Sequence, residues 1–94
     1  MTEAEFRAYA KAEGYGEPEV RSQPPNRFFE THVHADDLIV LIAAGTFGVG
    51  YGEETTIFGP GEMCQVASGA AHTDVAGPDG ASYILAWRQA NAAA

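Results

Sequence analysis

The sequence predicts an all-β domain that carries a short N-terminal helix. Its 94 residues suffice for one hydrophobic core, because single domains typically contain ~100 to 200 residues. A hydrophobic content of 46% and an aromatic content of 11% favour a folded chain over a disordered one. The eleven Gly and five Pro residues indicate many tight turns, which are typical of short antiparallel strands and not of long helices.

The N-terminal residues predict the helix. Thr2 and Glu5 have the spacing of a capping box, in which each side chain bonds the backbone of the other residue. Phe6 and Tyr9 then fall on one helical face. Gly14 is expected to end the helix, because glycine readily adopts the left-handed conformation of a helix C-terminus.

The next segment predicts an extended connector that leads into the first strand. Prolines at positions 18, 24 and 25 make residues 16–26 extended and exclude a central strand there, although a brief strand around Val20 is compatible with them. Residues 27–34 alternate in the manner of a strand. One face of that strand would carry Phe29, Thr31 and Val33, and the other Phe28, Glu30, His32 and His34.

Further strands are predicted at intervals of about ten residues, separated by glycine-containing turns. They span residues 38–43, 47–51, 55–58, 63–66, 71–75 and 82–88. The run LIVLIA at 38–43 is typical of a strand covered on both faces. Gly45 would end that strand, residues 77–80 would form a turn, and the alternating glycines after Phe47 indicate a curled sheet. About seven or eight strands of this kind favour a small barrel or jelly roll.

The charge and the cysteine content bear on partners and location. A formal net charge of −8 disfavours nucleic acid and anionic membranes as partners. The single Cys64 cannot form an internal disulfide, so a cytoplasmic location is expected. Residues 1–14 lack the basic and apolar regions of a signal peptide, and no apolar run approaches the ~20 residues of a membrane helix.

Three histidines and one aspartate form a candidate metal site. His32 and His34 are two residues apart on a predicted strand, which places both imidazoles on one face. Asp37 follows shortly after, and His72 begins a later strand that could pair nearby. Imidazole nitrogens with a carboxylate oxygen suit Fe, Mn, Ni, Zn or Cu, at bond lengths of roughly 2.0 to 2.2 Å.

These residues resemble the first of the two motifs of the cupin family. The resemblance lies in His32, His34, the acidic residue that follows them, and Gly45. Counting back from that glycine, Leu38 holds the position of the family's glutamate. The sequence is also similar to a cupin subgroup with an H-x-H-x-x-D motif, which implies that Asp37 supplies the carboxylate one position earlier.

The second cupin motif is matched by its glycines and its histidine, at Gly61, Gly69 and His72. Ala67 and Ala76 stand where the family has proline and asparagine. The resemblance covers about two thirds of the chain. It implies a double-stranded β-helix barrel holding one divalent transition metal ion on His32, His34, Asp37 and His72.

Taken together, these patterns predict three regions: an N-terminal helix and connector in 1–26, a cupin barrel in 27–88, and a flexible tail in 89–94. Three functions remain open. The barrel would be a metal-dependent isomerase, lyase or dioxygenase of a small polar metabolite, a non-catalytic metal or small-molecule binding or sensor module, or a metal-free interaction barrel. A small-molecule ligand is expected in the first two cases. Open sheet edges and a small core also predict a homodimer.

Other polar residues are weaker candidates. Glu30 is expected to be an ordinary exposed strand residue, since its role beside the histidines depends on which face lines the barrel. Cys64 lies in an apolar strand and is expected to serve packing. Gln65 and Tyr83 could point either way in a curled sheet. Ser68 lacks the flanking glycines of a nucleophile elbow, which disfavours a serine hydrolase.

Overall fold

The computed structural model describes residues 1–90 of the chain. It contains one helix and six strands: α1 Glu3–Ala12, β1 Glu19–Gln23, β2 Phe28–His32, β3 Asp37–Tyr51, β4 Glu54–Phe58, β5 Met63–Val66 and β6 His72–Arg88. Of the predicted tail at 89–94, the last four residues lie outside the described part. The single helix in 1–90 is not long and apolar enough to cross a membrane.

The predicted capping box is present at the start of α1. The Glu5 amide donates to Thr2 Oγ1 at 3.1 Å, and the Thr2 amide donates to Glu5 Oε1 at 2.8 Å. Phe6 and Ala10 are buried, and Gly14 has a φ of 81° just beyond the helix end. The prediction of this helix is confirmed, because local capping and spacing are sufficient to specify it.

Loss of the cap should cost a measurable amount of stability. Thr2→Ala removes the side-chain acceptor of an otherwise unpaired helix amide and should lower the free energy of unfolding by about 1 kcal/mol. In a domain of this size that corresponds to a melting temperature lower by about 4 to 8 °C, followed by circular dichroism. Thr2→Ser keeps the acceptor and should melt close to the wild type. Equal melting of the two variants would contradict a stabilising cap.

The two long strands organise the sheet. β3 and β6 are antiparallel and pair from Asp37 opposite Arg88 to Gly50 opposite Thr73. Both strands bend half way, so each contributes to two layers that face one another. The order of the first layer is β1-β6-β3-β5, and that of the second is β2-β6-β3-β4. The sequence therefore folds into a small all-β barrel of jelly-roll type, as predicted.

The bend explains why two predicted breaks are absent. Gly45 has a φ of 72°, and its Cα faces the Gly80 backbone so closely that no side chain would fit. The pairing of β3 with β6 shifts register on either side of this glycine. The strand end predicted at Gly45 and the turn predicted at 77–80 are therefore wrong. Glycine bends both strands, and their pairing resumes beyond the bend, with residues 77–80 left without a partner in β3.

The connector contains the strand around Val20 that the sequence allowed. Within residues 16–26, β1 forms a complete strand that pairs with β6 from Glu19 opposite Leu85 to Gln23 opposite Ala81. The prolines are compatible with this arrangement because they flank β1, and β1 is an edge strand. The connector therefore supplies one wall of the barrel.

The aliphatic run of β3 is covered on both faces, as predicted. Leu38, Val40 and Ile42 face the space between the layers and join its apolar cluster. Ile39 and Leu41 face outward and are buried with Phe6 and Ala10 beneath α1. The helix thus closes the outer face of the first layer, and the interior of the barrel between the layers is apolar.

Candidate metal centre

Three imidazoles converge at one end of the barrel. One ring nitrogen of each of His32, His34 and His72 lies within 4.8 Å of those of the other two. The ring centroids are 4.3 Å apart for His32 and His72, 4.8 Å for His32 and His34, and 5.1 Å for His34 and His72. The structure therefore brings together the three histidines that the sequence predicted, from segments 38 or more residues apart in the chain.

The strand pairing produces this convergence. His32 is the last residue of β2 and pairs with His72, the first residue of β6. His34 lies two residues beyond the end of β2. A register shift between Phe29 and His32 breaks the simple alternation of β2, so both of these side chains line the interior. Strict alternation predicted Phe29 on the face opposite His32 and His34. That prediction was wrong because of the register shift.

Backbone carbonyl groups fix two of the rings. His32 Nδ1 lies 2.6 Å from the carbonyl oxygen of Glu30, and His72 Nδ1 lies 2.9 Å from that of Ala70. A carbonyl oxygen only accepts, so each Nδ1 carries a proton and donates it. In the neutral imidazole the lone pair then resides on Nε2, which is the arrangement that metal-ligating histidines use.

A carboxylate lies beside these two Nε2 atoms. Asp74 Oδ2 is 3.1 Å from His32 Nε2 and 3.6 Å from His72 Nε2. The Asp74 side chain is only 14% exposed. Burial raises the pKa of Asp74, and the three neighbouring histidines oppose that rise. The centre therefore combines three imidazoles and one largely buried carboxylate.

The unpaired Nε2 of His72 indicates that the three histidines and Asp74 suit a metal ion. This atom is buried, in a residue 1% exposed, and has no hydrogen-bond partner among the described residues. With neutral imidazoles, the lone pairs of His32 and His72 would face a carboxylate with no cation between them, which is unfavourable. Ligand atoms of a tetrahedral site with bonds of about 2.1 Å are about 3.4 Å apart, close to both separations from Asp74. The donor set fits a divalent transition metal.

The third imidazole, His34, lies against an aromatic side chain. Burial lowers the pKa of His34, the neighbouring His32 and His72 lower it further, and Asp74 opposes the change. The Trp87 ring contacts His34 edge to face, with centroids 5.1 Å apart. His34 is therefore held against an aromatic wall of the cavity.

The structure does not bring Asp37 to the histidines. Its Oδ1 accepts from the Ser68 amide at 2.9 Å, and its Oδ2 accepts from Arg88 Nη2 at 3.2 Å. These two contacts, the Ser68 amide first, lower the pKa of the Asp37 carboxyl group. The Asp37 carboxylate thus connects the turn at Ser68 with Arg88 at the end of β6. The next residue, Leu38, lines the interior at the position of the cupin glutamate.

Sequence reasoning missed Asp74 although a signal was present. His72 and Asp74 are two residues apart on a strand, so their side chains share a face. The same spacing predicted a shared face for His32 and His34. Glu30 is exposed, as expected, and contributes only its carbonyl group. The carboxylate that lies beside His32 and His72 therefore comes from the strand that carries His72.

A cavity of about 260 Å³ extends from the centre into the barrel. His32, His34 and Asp74 line one part of it. Most of the remaining wall is apolar: Phe29, Leu38, Val40, Phe47, Val49, Cys64, Val66, Leu85 and Trp87. Arg21, Gln23 and Tyr83 complete the lining. A small molecule that enters this cavity reaches the histidines.

Cys64 lines the cavity without being reactive. Burial raises the pKa of its thiol to about 12, and the nearby Asp74 adds to that rise. At about pH 8 the thiolate fraction should be on the order of 10⁻⁴. We therefore expect no labelling of the native protein by Ellman's reagent, and one thiol per chain in concentrated guanidinium chloride. Rapid labelling of the native protein would contradict this assignment.

Solved structures of cupins are similar to this one. A cupin-2 domain protein from Shewanella frigidimarina superposes with a TM-score of 0.65 at 18% identity, over 73% of this chain and 66% of its own. The chain has the cupin fold. The chain spans about two thirds of the length of that cupin, and no protein-family model and no curated protein matches its sequence.

Two further solved structures are similar to this one. The DMSP lyase DddQ from Ruegeria pomeroyi has a TM-score of 0.68 at 23% identity, over 82% of this chain but only 40% of its own. A protein of unknown function from Rhizobium leguminosarum has a TM-score of 0.66 at 20% identity, over 95% of this chain and 94% of its own. At such identities the likeness establishes the fold, while function depends on the site.

Proposed function

We propose that this cupin binds one divalent transition metal ion, Fe, Mn, Ni, Zn or Cu, through His32, His34 and His72, with Asp74 as the carboxylate ligand. The observation that carries the proposal is the buried Nε2 of His72, which has no hydrogen-bond partner in residues 1–90 and shares the Asp74 carboxylate with His32. Asp37, bonded to Ser68 and Arg88, is not part of the proposed ligand set.

The barrel provides a setting for chemistry on a small molecule. A bound divalent ion would supply a Lewis acid for a carbonyl oxygen of the ligand. The apolar wall around Leu38, Val40 and Leu85 excludes water, which strengthens every electrostatic interaction inside the cavity. The Glu30 and Ala70 carbonyl groups hold the His32 and His72 rings in one orientation.

Among the reaction classes, we propose a lyase, ahead of an isomerase or a dioxygenase. The support is the similarity to the structure of a DMSP lyase, which shares this fold over 82% of the chain. A non-catalytic binding or sensor module is the second candidate. It is supported by Ala76, which is buried and places only a methyl group where the cupin motif has asparagine. A cytoplasmic location, favoured by the single Cys64, is part of both proposals.

Metal analysis tests the proposed ligand set. We expect about one transition metal ion per chain in wild-type protein purified without an affinity tag or chelator. A His32→Ala, His72→Ala double variant should contain less than about a tenth of that amount, because two of the four ligands are gone. Equal and negligible metal in both proteins would overturn the proposal and leave the metal-free interaction barrel.

Turnover distinguishes an enzyme from a binding module. The metal-loaded protein would be assayed for product formation and for oxygen uptake with diketones, thiols, phenols and keto sugars. Turnover that disappears in the double variant supports a metal-dependent enzyme. Binding of a panel member without turnover supports the binding module. Oxygen uptake, in place of elimination, would favour a dioxygenase over the lyase proposed here.

We also propose a homodimer. The outer face of the layer β2-β6-β3-β4 aligns Phe28, Val75, Gly48 and Ile57. Phe28 is 55% exposed and Ile57 is 59% exposed, whereas α1 covers the other layer. An exposed apolar sheet face is typical of an interface. Sedimentation should give about 20 kDa, twice the chain mass of 9.9 kDa, and a monomer would contradict the proposal.

A further inference from the structure

The cavity has a second polar region in addition to the histidines. Arg21 of β1 pairs in register with Tyr83 of β6, and both side chains line the cavity. Trp87, which contacts His34, is four residues beyond Tyr83 on the same face of β6. Four strand residues span about 13 Å, so the two polar regions are offset along the barrel with apolar wall between them.

Arg21 is available to bind an anion. It is the single Lys or Arg among the described residues that line this cavity. Its side chain is half exposed, and its ion pair is a solvated contact with Glu19 at 3.5 Å. Such exposed pairs contribute little, so a ligand carboxylate can replace Glu19 at small cost. A guanidinium group beside a carboxylate forms two parallel hydrogen bonds, which a neutral amide cannot match.

Tyr83 offers a second donor at the same place. Gln23 Nε2 donates to the Tyr83 hydroxyl oxygen at 3.1 Å, and within residues 1–90 this amide is its one side-chain hydrogen-bond partner. The phenol proton therefore remains free to donate to a ligand oxygen. Tyr83 is buried, with its ring against Phe47, so the hydroxyl group is held in place.

We infer that the ligand of this barrel is a small monocarboxylate whose carboxylate binds Arg21 and Tyr83 and whose apolar part lies along the cavity toward the histidines. This inference rests on the proposed function, because it assigns the substrate class of the same site. A volume of 260 Å³ holds about nine water-sized groups at about 30 Å³ each. The apolar wall disfavours sugars, and the net charge of −8 disfavours polyanions.

A matched pair of ligands tests the inference. Heptanoate has nine non-hydrogen atoms, and heptanamide has the same shape without the charge. Trp87 is the only tryptophan and lines the cavity, so its fluorescence reports binding. We expect the metal-loaded wild type to bind heptanoate at least about tenfold more tightly than heptanamide. This preference should disappear in Arg21→Gln and persist in Glu19→Gln, which removes the partner of Arg21 and leaves the guanidinium group.

Other outcomes would overturn the inference or support it. Equal affinity of the two ligands for the wild type, or no binding of either, overturns the inference. A preference that survives in Arg21→Gln but is lost in metal-free His72→Ala means that the carboxylate binds the metal ion, which overturns the role of Arg21. A preference that persists in metal-free His72→Ala supports Arg21. Tyr83→Phe should weaken heptanoate binding severalfold; unchanged affinity would remove Tyr83 from the assignment.

Metal content of the same preparations separates this inference from the proposed function. If the wild type contains metal but shows no preference for heptanoate, the inferred carboxylate ligand is refuted and the proposed metal centre is not. If the wild type lacks metal and still prefers heptanoate, the proposed metal centre is refuted and the role of Arg21 in binding the carboxylate is supported. Circular dichroism of Arg21→Gln confirms that the edge strand β1 remains folded, so that lost binding reflects the missing guanidinium group.

Discussion

Replacing Asp74 with asparagine is expected to weaken Zn²⁺ binding by about 10- to 100-fold, as measured by competition with a chromophoric chelator. Asparagine keeps the size of the side chain but removes the negative charge that lies 3.1 Å from His32 Nε2 and 3.6 Å from His72 Nε2. An amide oxygen is a weaker ligand for a transition metal than a carboxylate oxygen. The loss of affinity should therefore appear although the barrel remains folded.

Asp37→Asn is the matched control for this prediction. It makes the same chemical change at the carboxylate that the sequence favoured, which here binds the Ser68 amide and Arg88. We expect unchanged Zn²⁺ affinity in Asp37→Asn. If Asp37→Asn lost the metal and Asp74→Asn retained it, the ligand set proposed here would be wrong, and the H-x-H-x-x-D pattern would identify the carboxylate correctly.

Removal of the metal ion should lower the melting temperature by about 15 °C or more. An ion that binds only the native state, at a free concentration about 1,000 times its Kd, stabilises that state by about 4 kcal/mol. Each kcal/mol corresponds to about 4 to 8 °C in a domain of this size. The unpaired Nε2 of His72 and the buried Asp74 would then face one another without a cation. Calorimetry with and without a chelator measures the effect.

The His32→Ala, His72→Ala double variant controls for chelator effects unrelated to the site. Its melting temperature should be the same with and without chelator, because it has lost two ligands of the proposed centre. Adding Zn²⁺ back should restore the wild type and leave the double variant unchanged. A wild-type melting temperature that is indifferent to chelator would count against a resident ion in this barrel.

Local pattern predicted much of the fold. The capping box at Thr2 and Glu5 specified α1, because both of its hydrogen bonds join residues three apart. The two-sided aliphatic run at 38–43 specified a strand with both faces covered. The strand predicted at 63–66 matches β5, since its bounding turns contain glycines with positive φ at Gly61 and Gly69. In each case the deciding pattern is local in the sequence, although the residues that cover the run at 38–43 come from distant segments.

The bend of the barrel could not be predicted in this way. Gly45 and residues 77–80 have the composition of turns, yet β3 and β6 continue through both. Continuation depends on each strand finding a ladder partner on either side of the bend, and those partners lie far away in the chain. Composition alone does not distinguish a chain reversal from a bend within a paired strand.

By itself, the sequence determined the all-β class, the helix, and the three histidines of the candidate centre, because the period of two along a strand and the turn residues are local properties. Only the tertiary structure decided which carboxylate joins them. Asp37 is nearer to His34 in the chain, but Arg88, 51 residues away, pairs with it, while the pairing of β2 with β6 brings Asp74 to His32. Long-range strand register, and not proximity in sequence, selects the members of this site.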